Sequence, residues 1–407
     1  MRSRVSHRPL ASALVVLGLL ACTAQGGATS PDGGPRPEEA AAVAEAPSPR
    51  EPRAAVEAPA EPPARVEPSA RVEPSAEVAA ATPSAGGLVP LDEEQVAILF
   101  GTAEDPVPVH RGGVAPSQEN KHYLSSNEKA LDAFHSALAG VGGGYLGVGT
   151  DQGYLFVGWA RSELAWLVDY DPAVQEIHEL YRLFFLHADT PQEMVALWSE
   201  GGRPRALEII AAAHPEPRAR ELRYWYRSGS GRIHGRLRAV RRRMAKVGVP
   251  TVFDDQETYD YVRLMLEQRR IRALRVNLLE REGLAGIGEA AQALGVPLRV
   301  LYLSNAEQYW KRYSPVFRQS VASLPWADDA VLLRTITAKA ANDDYRYNVQ
   351  PIANFQQWLA QPFVGSVHHI VHAGPPASAQ GITLFTTGGD PLDSPAARRW
   401  QAKQAEG

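Results

Sequence analysis

Cysteine is almost absent from the sequence: Cys22 is the single cysteine in 407 residues. A disulfide within the chain is therefore excluded, even in an oxidising compartment. Long apolar runs are scarce as well, and the run near the N terminus, residues 10–20, is too short to span a bilayer. The zinc-binding pattern H-E-x-x-H does not occur, so no metal site is predicted. These absences exclude a disulfide-stapled fold and leave no candidate transmembrane helix.

The lone cysteine lies where a lipid anchor would be attached. Three arginines precede the apolar run 10–20, as in a secretory signal peptide, and residues 19–22 (LLAC) resemble the bacterial lipobox. We therefore expect a lipoprotein signal peptide over residues 1–21 and diacylation of Cys22, with the membrane as its partner. An ordinary signal peptide with an accidental cysteine is the alternative. Because Thr23 rather than an aspartate follows the cysteine, the outer membrane is favoured over the inner membrane as the site in the cell envelope.

Residues 22–90 have almost no large apolar side chains and are rich in Ala, Pro and Glu. Such a segment cannot bury enough apolar surface to offset the entropy lost on ordering, so we predict a disordered tether. The tandem repeat ARVEPS at residues 64–75 is typical of low-complexity linkers. The whole chain has a formal net charge of −4, so no nucleic-acid partner is expected.

Residues 91–391 have the periodicity of an α/β domain, followed by a flexible tail over residues 392–407. We predict a doubly wound, mostly parallel sheet that ends in an antiparallel hairpin. The predicted strands are 145–148, 164–168, 273–279, 298–303 and 331–336, with the hairpin formed by 366–372 and 382–387. A helix is predicted over residues 127–138, and a helical insertion over about residues 190–247. His178 and His187 are expected to be ordinary helix-face residues rather than ligands.

A candidate ligand site follows from glycines and polar residues that end the first, second and fourth strands. In an open α/β sheet the carboxyl edge of the strands binds ligands, and an acid after the second strand commonly contacts ribose hydroxyls. Amides at a helix start add a site for a polar group. The predicted site comprises Gly147, Gly149, Thr150, Asp151, Gln152, Asp169, Asp171, Ser304 and Asn305.

Each part of this candidate site also has a purely structural interpretation. The glycines would equally serve tight packing of a strand against a helix, and the acids would serve as a helix cap and a solvated strand end. Ser304 and Asn305 would equally cap the next helix. If Asp151 and Asp169 face solvent and bind a ligand, replacing either should weaken binding at little cost to the fold.

A basic segment lies inside the predicted helical insertion. Residues 218–246 contain eleven basic residues and one acid, Glu221. This charge is compatible with a nucleic-acid or anionic-lipid surface. However, an apolar stripe at helical spacing runs through the same segment, at Ile233, Leu237, Val240, Met244 and Val247. We therefore favour a helix whose arginines form the solvated face.

The order of predicted elements resembles the class I S-adenosylmethionine-dependent methyltransferase fold. The phrases GVGTDQ, GWARSELAWLVDYD and VLYLSNAEQYW resemble an uncharacterised family of bacterial lipoproteins with that Rossmann-like core. The resemblance implies that residues 145–149 form the cofactor strand and turn, that Asp169 or Asp171 binds ribose, and that S-adenosylmethionine is a possible cofactor.

The sequence also departs from active methyltransferases. The turn lacks the acid-Gly-x-Gly-x-Gly order, and Ser304-Asn305 is not followed by the Pro-Pro-aromatic run of amino-methylating enzymes. Our first hypothesis is therefore an anchored lipoprotein that binds a small polar ligand and has no assigned catalytic residue. The alternatives are a methyltransferase and, less favoured, a hydrolase that uses Asp151, Asp169 and Asp171 as acid, base or metal ligands.

Overall fold

A computed structural model describes residues 87–109, 119–337, 344–371, 377–379, 382–386 and 389–406. All of them belong to the second of the two units into which the chain divides, Ser75–Gly407. The predicted signal peptide, Cys22 and most of the predicted tether lie outside the described residues. The Gly-Pro-Pro turn of the predicted hairpin, residues 374–376, lies outside them as well.

Strands and helices alternate along the described chain. The strands are β1 (Gly144–Val148), β2 (Leu164–Asp169), β3 (Ile271–Arg275), β4 (Leu298–Tyr302), β5 (Trp326–Thr337), β6 (Tyr345–Pro351), β7 (Ala377–Ala379) and β8 (Ile382–Thr386). The α-helices are α1 (Glu93–Phe100), α2 (His135–Leu138), α3 (Asp151–Ala160), α4 (Pro172–His187), α5 (Pro191–Leu197), α6 (Arg203–Ala213), α7 (Arg218–Val247), α8 (Gln256–Glu267), α9 (Glu282–Ala293), α10 (Pro315–Ser323), α11 (Ile352–Leu359), α12 (Val367–Val371) and α13 (Pro395–Ala405). Short 3-10 turns cover Leu131–Phe134, Ala306–Tyr309 and Pro391–Asp393.

The strands of the described residues form one sheet in the order β3-β2-β1-β4-β5-β6-β8-β7. Strands β1 to β5 are parallel to one another, whereas β6 is antiparallel to β5. At the far edge β8 is parallel to β6, and β7 is antiparallel to β8. The predicted doubly wound, mostly parallel α/β fold is confirmed. The direction of winding reverses between β1 and β4, which places a crevice at their carboxyl ends.

The central strands are apolar along their length because both faces of the sheet are covered by helices. Successive residues alternate between two cores, as the two-residue period of a strand requires. Tyr145 and Ala165 pack into the core that includes helices α3 to α8, whereas Leu146 and Trp166 pack into the core that includes α9 to α12. The predictions for β1 and β2 are correct to within one residue at each end.

The predicted C-terminal hairpin is wrong in its first strand. Residues 366–372 contain helix α12, whose buried residues Val367, Ile370 and Val371 follow a helical spacing. The antiparallel partner of β5 is β6, which the sequence did not indicate. Strand β6 was not predicted because two of its buried side chains are polar, Asn348 and Gln350, so its sequence lacks an apolar run.

Four further elements differ from prediction, and one of them is β5, which begins at Trp326, five residues before its predicted start at residue 331. The helix predicted over residues 127–138 begins only at Leu131. The backbone N–H of Ala130, just before it, donates to the Tyr347 hydroxyl at 2.7 Å. The strand predicted over residues 273–279 corresponds to β3, which begins two residues earlier, at Ile271, and ends at Arg275. The predicted tail contains α13, whose first turn is capped by the Ser394 hydroxyl.

The helical insertion is confirmed as α5, α6 and α7. In α7 the predicted apolar stripe is buried at Ile233, Leu237, Val240 and Met244, and it packs on the core that α3 and α4 share. No helix of the described residues combines the length and the apolarity needed to cross a bilayer.

Candidate functional site

A cleft of about 1020 Å³ opens at the carboxyl ends of β1, β2 and β4. It lies where the winding of the sheet reverses, the usual place for a ligand in an open α/β sheet. Seven of the nine predicted site residues line it, namely Gly149, Thr150, Gln152, Asp169, Asp171, Ser304 and Asn305. The two others, Gly147 and Asp151, have structural roles beneath the cleft wall.

Gly147 is a packing glycine inside β1. A side-chain Cβ at this position would lie 2.1 Å from the Tyr145 hydroxyl oxygen, so no larger residue fits. Tyr145 itself is fully buried. Gly147 therefore allows a large aromatic side chain to pack under the end of the strand, as the structural interpretation of the sequence proposed.

The turn from β1 to α3 is closed by its own side chains. Gly149 has a φ of 105°, a conformation that favours glycine. The Gln152 side chain accepts a hydrogen bond from the Thr150 backbone N–H at 3.2 Å and donates to the Val148 carbonyl at 3.4 Å. The Thr150 hydroxyl donates to Asp151 at 3.2 Å rather than capping α3. The backbone N–H of Thr150, at the start of this turn, is thus already hydrogen-bonded.

His178 supports this turn from helix α4 and is not a solvent-facing helix residue. Its Nε2–H donates to the Gly149 carbonyl at 2.8 Å, and its Nδ1 accepts from the Tyr154 hydroxyl at 3.0 Å. This tautomer follows because a carbonyl oxygen can only accept. Burial lowers the pKa of His178 to about 4, so the ring is neutral at pH 7. His187, by contrast, is exposed, and its Nδ1–H donates to the Leu183 carbonyl at 2.8 Å.

Asp151 is buried, contrary to the expectation of a solvent-facing acid. Its Oδ2 lies 2.9 Å from Nε of Arg236, which reaches it from α7. Its Oδ1 accepts the backbone N–H of Ser126 at 2.7 Å. Asp151 therefore joins the start of α3 to the insertion helix and to the segment that covers the cleft.

Glu128 is a buried carboxylate on the cleft wall that the sequence did not single out. Its Oε1 accepts from the hydroxyls of Ser304 at 2.8 Å and Thr335 at 2.9 Å, and also from the Tyr302 hydroxyl. Its Oε2 accepts from the Ser126 hydroxyl. The three partners of Oε1 come from the ends of β4 and β5, more than 170 residues along the chain, so no local pattern could have indicated the cluster.

The polar residues after β4 serve this cluster. Ser304 has a φ of 50°, uncommon for a residue with a side chain, and this geometry accompanies the hydrogen bond from its hydroxyl to Glu128. Asn305 stands before the 3-10 turn, and its amide lies 3.5 Å from the Tyr345 hydroxyl. Neither side chain caps the turn in the described structure.

Asp169 and Asp171 differ in how far they are already engaged. Asp171 caps α4 by accepting the Ala173 N–H at 3.0 Å, and it lies 2.9 Å from Nδ1 of His122. Asp169 accepts the Asp171 backbone N–H at 2.9 Å and, among the described residues, has no cationic partner. Burial raises the pKa of Asp169 to about 7, and the charge of Asp171 adds to the effect. Asp169 is thus the acid of this pair that is free to meet a ligand.

The remaining cleft wall has an apolar side, an aromatic side and a cationic rim. The loop after β3 contributes Val276, Leu278 and Leu279. The rim after β4 contributes Lys311 and Arg312, which form no ion pair within the described part of the chain. The aromatic side chains of the wall are Tyr123, Tyr170, Tyr309, Trp310, Tyr313 and Tyr345.

A comparison with known sequence families gives a match over most of this structure. The family described as a domain of unknown function (DUF7790) matches residues 123–385. The chain belongs to the DUF7790 family. No curated protein matches the sequence. The DUF7790 match begins at Tyr123 on the cleft wall and includes every predicted site residue together with the helical insertion.

The DUF7790 site offers carboxylates but no arrangement for a metal. Among the described residues no group of three or more His, Cys, Asp or Glu side chains could hold a metal ion. Asp151 is committed to Arg236 and lies behind the cleft wall. A hydrolytic mechanism that requires Asp151, Asp169 and Asp171 together therefore does not fit this geometry.

Proposed function

We propose that this DUF7790 chain is a membrane-anchored, exported lipoprotein of the cell envelope whose cleft binds a small polar ligand with neighbouring hydroxyl groups. The observation that carries the proposal is the position of Asp169, a carboxyl without a cationic partner among the described residues, on the wall of the cleft at the reversal of the sheet. We assign no catalytic residue. Within the proposal, lipidation of Cys22 is supported by the lipobox, and anchoring in the outer membrane by Thr23, which follows the cysteine in place of an aspartate.

The chemistry of the cleft supports a ligand that is polar at one side and flat or apolar at the other. A carboxyl after the second strand is suited to accept two hydrogen bonds from a diol. The apolar residues after β3 lie next along the sheet and suit a flat ring. Tyr309 and Trp310 lie across the cleft on the β4 side. The cleft volume is in the range of sites for ligands of drug size.

A methyltransferase is the second candidate, and the strand order β3-β2-β1-β4-β5 favours it. S-adenosylmethionine would supply a transferable methyl group, and Asp169 fits its ribose hydroxyls. The turn fits the cofactor less well, since Gln152 already satisfies the Thr150 amide. Ligand binding without methyl transfer therefore remains our first proposal.

Replacing Asp169 with asparagine should stabilise the ligand-free protein and weaken ligand binding. The folded pKa of about 7 lies above the ordinary value of 3.8, so the unfavourable contribution of this acid develops as the pH rises from 4 through 7. Asparagine removes it, and we expect a gain of about 2 kcal/mol at pH 8 and none at pH 4, after allowing for partial exposure. Thermal and urea unfolding at both pH values measure this. Binding should weaken by roughly 10- to 100-fold, the value of a charged hydrogen bond.

The binding measurement first needs the ligand, which native mass spectrometry of the purified full-length chain can identify; adenosine, S-adenosylmethionine and monosaccharides serve as probes. Asp329→Asn is the matched control, because Asp329 is exposed and pairs with Arg299 away from the cleft wall. The proposal fails if Asp169→Asn leaves both the ligand response and the pH 8 stability unchanged. Methyl transfer to an acceptor by the purified chain would instead favour the second candidate.

Replacing Cys22 with serine should release the protein from membranes, because the diacyl anchor supplies the membrane affinity. Membrane fractionation after high-salt washing measures the release, and mass spectrometry of the N-terminal peptide of the parent should show the lipid. Thr23→Ser, which leaves the cysteine in place, is the control and should stay with the membrane. A Cys22→Ser protein that remains fully in the membrane fraction after the wash contradicts the anchor.

A further inference from the structure

Helix α7 contains 30 residues and is about 45 Å long. Seven of its eleven basic side chains form two groups that the sequence alone could not separate. One group turns toward the domain and pairs with acids there: Arg218 with Glu176 at 2.6 Å, Arg236 with Asp151 at 2.9 Å and Arg243 with Asp132 at 2.5 Å. For these residues the expectation of a solvated face is wrong.

The second group is exposed on the opposite face of the helix. We call it the basic stripe: Arg227, Arg238, Arg242 and Lys246. Spacings of 11, 4 and 4 residues bring these side chains to one side of the helix. Within the described structure none of the four forms an ion pair. The single acid of α7, Glu221, pairs with Arg218 at 2.8 Å and leaves the stripe uncompensated.

The shape of this face suits a flat surface. Between Arg227 and Arg238 the same side of α7 has only hydrogen at Gly231 and Gly235, and a Cβ at either would meet nothing within 4 Å. The long side chains of Arg227 and Arg238 therefore flank a section of this face at which the two glycines present no side chain. Tyr224, three residues before Arg227, is 61% exposed and adds an aromatic ring at one end. Partial burial and, second to it, repulsion from the charge of Arg238 lower the pKa of His234, which lies beside the stripe.

We propose that the basic stripe of α7 docks the domain onto an anionic phospholipid surface. Basic side chains near such a surface are attracted to its negative potential, and an aromatic ring lies favourably at the headgroup level. The formal net charge of the whole chain is −4, so the attraction depends on the local charge of this face and not on net charge.

The length of chain before the domain is compatible with docking onto a membrane. The 64 residues between Cys22 and Gly87 would reach about 45 Å as the coil predicted from their composition. A lipid on Cys22 would therefore hold the stripe within reach of the bilayer and raise its effective concentration there. A nucleic acid is disfavoured as the occupant, because the predicted export removes the chain from it.

The test uses the full chain carrying Cys22→Ser, so that docking is measured without a lipid anchor and independently of the cleft. Co-sedimentation with vesicles of phosphatidylglycerol and phosphatidylcholine is compared with vesicles of phosphatidylcholine alone. We expect binding only to the anionic vesicles, with loss at high salt. Adding Arg227→Gln, Arg238→Gln and Arg242→Gln should weaken binding about a hundredfold, since each basic side chain is worth about a fivefold change.

The matched control removes three other exposed charges, with Arg281→Gln, Arg399→Gln and Lys403→Gln. It has the same net charge as the stripe variant and should bind within about twofold of its parent. Equal losses in the two triple variants would overturn the proposal, because binding would then follow net charge alone. Failure of the parent to bind anionic vesicles, or equal affinity for a DNA duplex, would overturn it as well. Thermal unfolding of all three proteins verifies the fold.

Discussion

Asp151→Asn is expected to lower the free energy of unfolding by about 3 to 5 kcal/mol. The substitution leaves the buried Arg236 guanidinium without its carboxylate, 2.9 Å away in the parent. Removing one member of a buried ion pair costs more than the pair contributes, since the remaining charge stays out of water. Asparagine keeps an acceptor for the Ser126 N–H, but its NH₂ group then faces the Arg236 Nε–H, so both the charge and the acceptor for Arg236 are lost. Urea unfolding of the full chain measures the effect.

A double variant separates the charge effect from the loss of shape. Asp151→Asn with Arg236→Gln leaves no unpaired charge, and it should recover about 2 kcal/mol of what the single variant loses. Asp329→Asn breaks the exposed pair with Arg299 at 2.9 Å and should change stability by about 0 to 1 kcal/mol. If Asp151→Asn is as mild as this control, the carboxylate is not the buried partner of α7.

Acidification from pH 7 to pH 4 should destabilise the protein through His178 by about 3 kcal/mol. The folded pKa of about 4 lies below the ordinary value of 6.5, so the unfolded chain binds the proton first. The contribution is therefore fully present above pH 6.5 and is lost as the pH falls through 4. Each unit of difference in pKa corresponds to about 1.4 kcal/mol.

His178→Gln isolates this contribution from the other groups that titrate in the same range. Glutamine cannot take up the proton, and it can still donate to the Gly149 carbonyl, which His178 Nε2 contacts at 2.8 Å. We expect the variant to be less stable than the parent at pH 7 but to lose about 3 kcal/mol less on acidification. Chemical unfolding at several pH values gives the two curves. Parallel curves would show that His178 is not held neutral.

Asp151 and Asp169 show what the sequence could not distinguish. Both are aspartates at the carboxyl edge of the sheet, and both were predicted to face a ligand. The difference depends on Arg236, which lies 85 residues beyond Asp151 and reaches it only when α7 packs on the domain. Asp169 receives no such partner among the described residues, so its charge is opposed by burial instead. Glu128 was missed for the same reason, as its hydroxyl partners come from β4 and β5.

The sequence by itself determined the elements whose character is local. The apolar runs of β1, β2 and β4 and the stripe of α7 depend on neighbours within two to four residues, so their periodicity was sufficient to predict them. Seven site residues were found in the same way, since the ends of parallel strands share one edge of the sheet. The tertiary structure alone decided which polar groups are satisfied inside the protein. Strand β6 was missed because some of its buried side chains are polar. The partners of Asp151, Glu128 and His178 come from distant parts of the chain, so no local pattern indicates them.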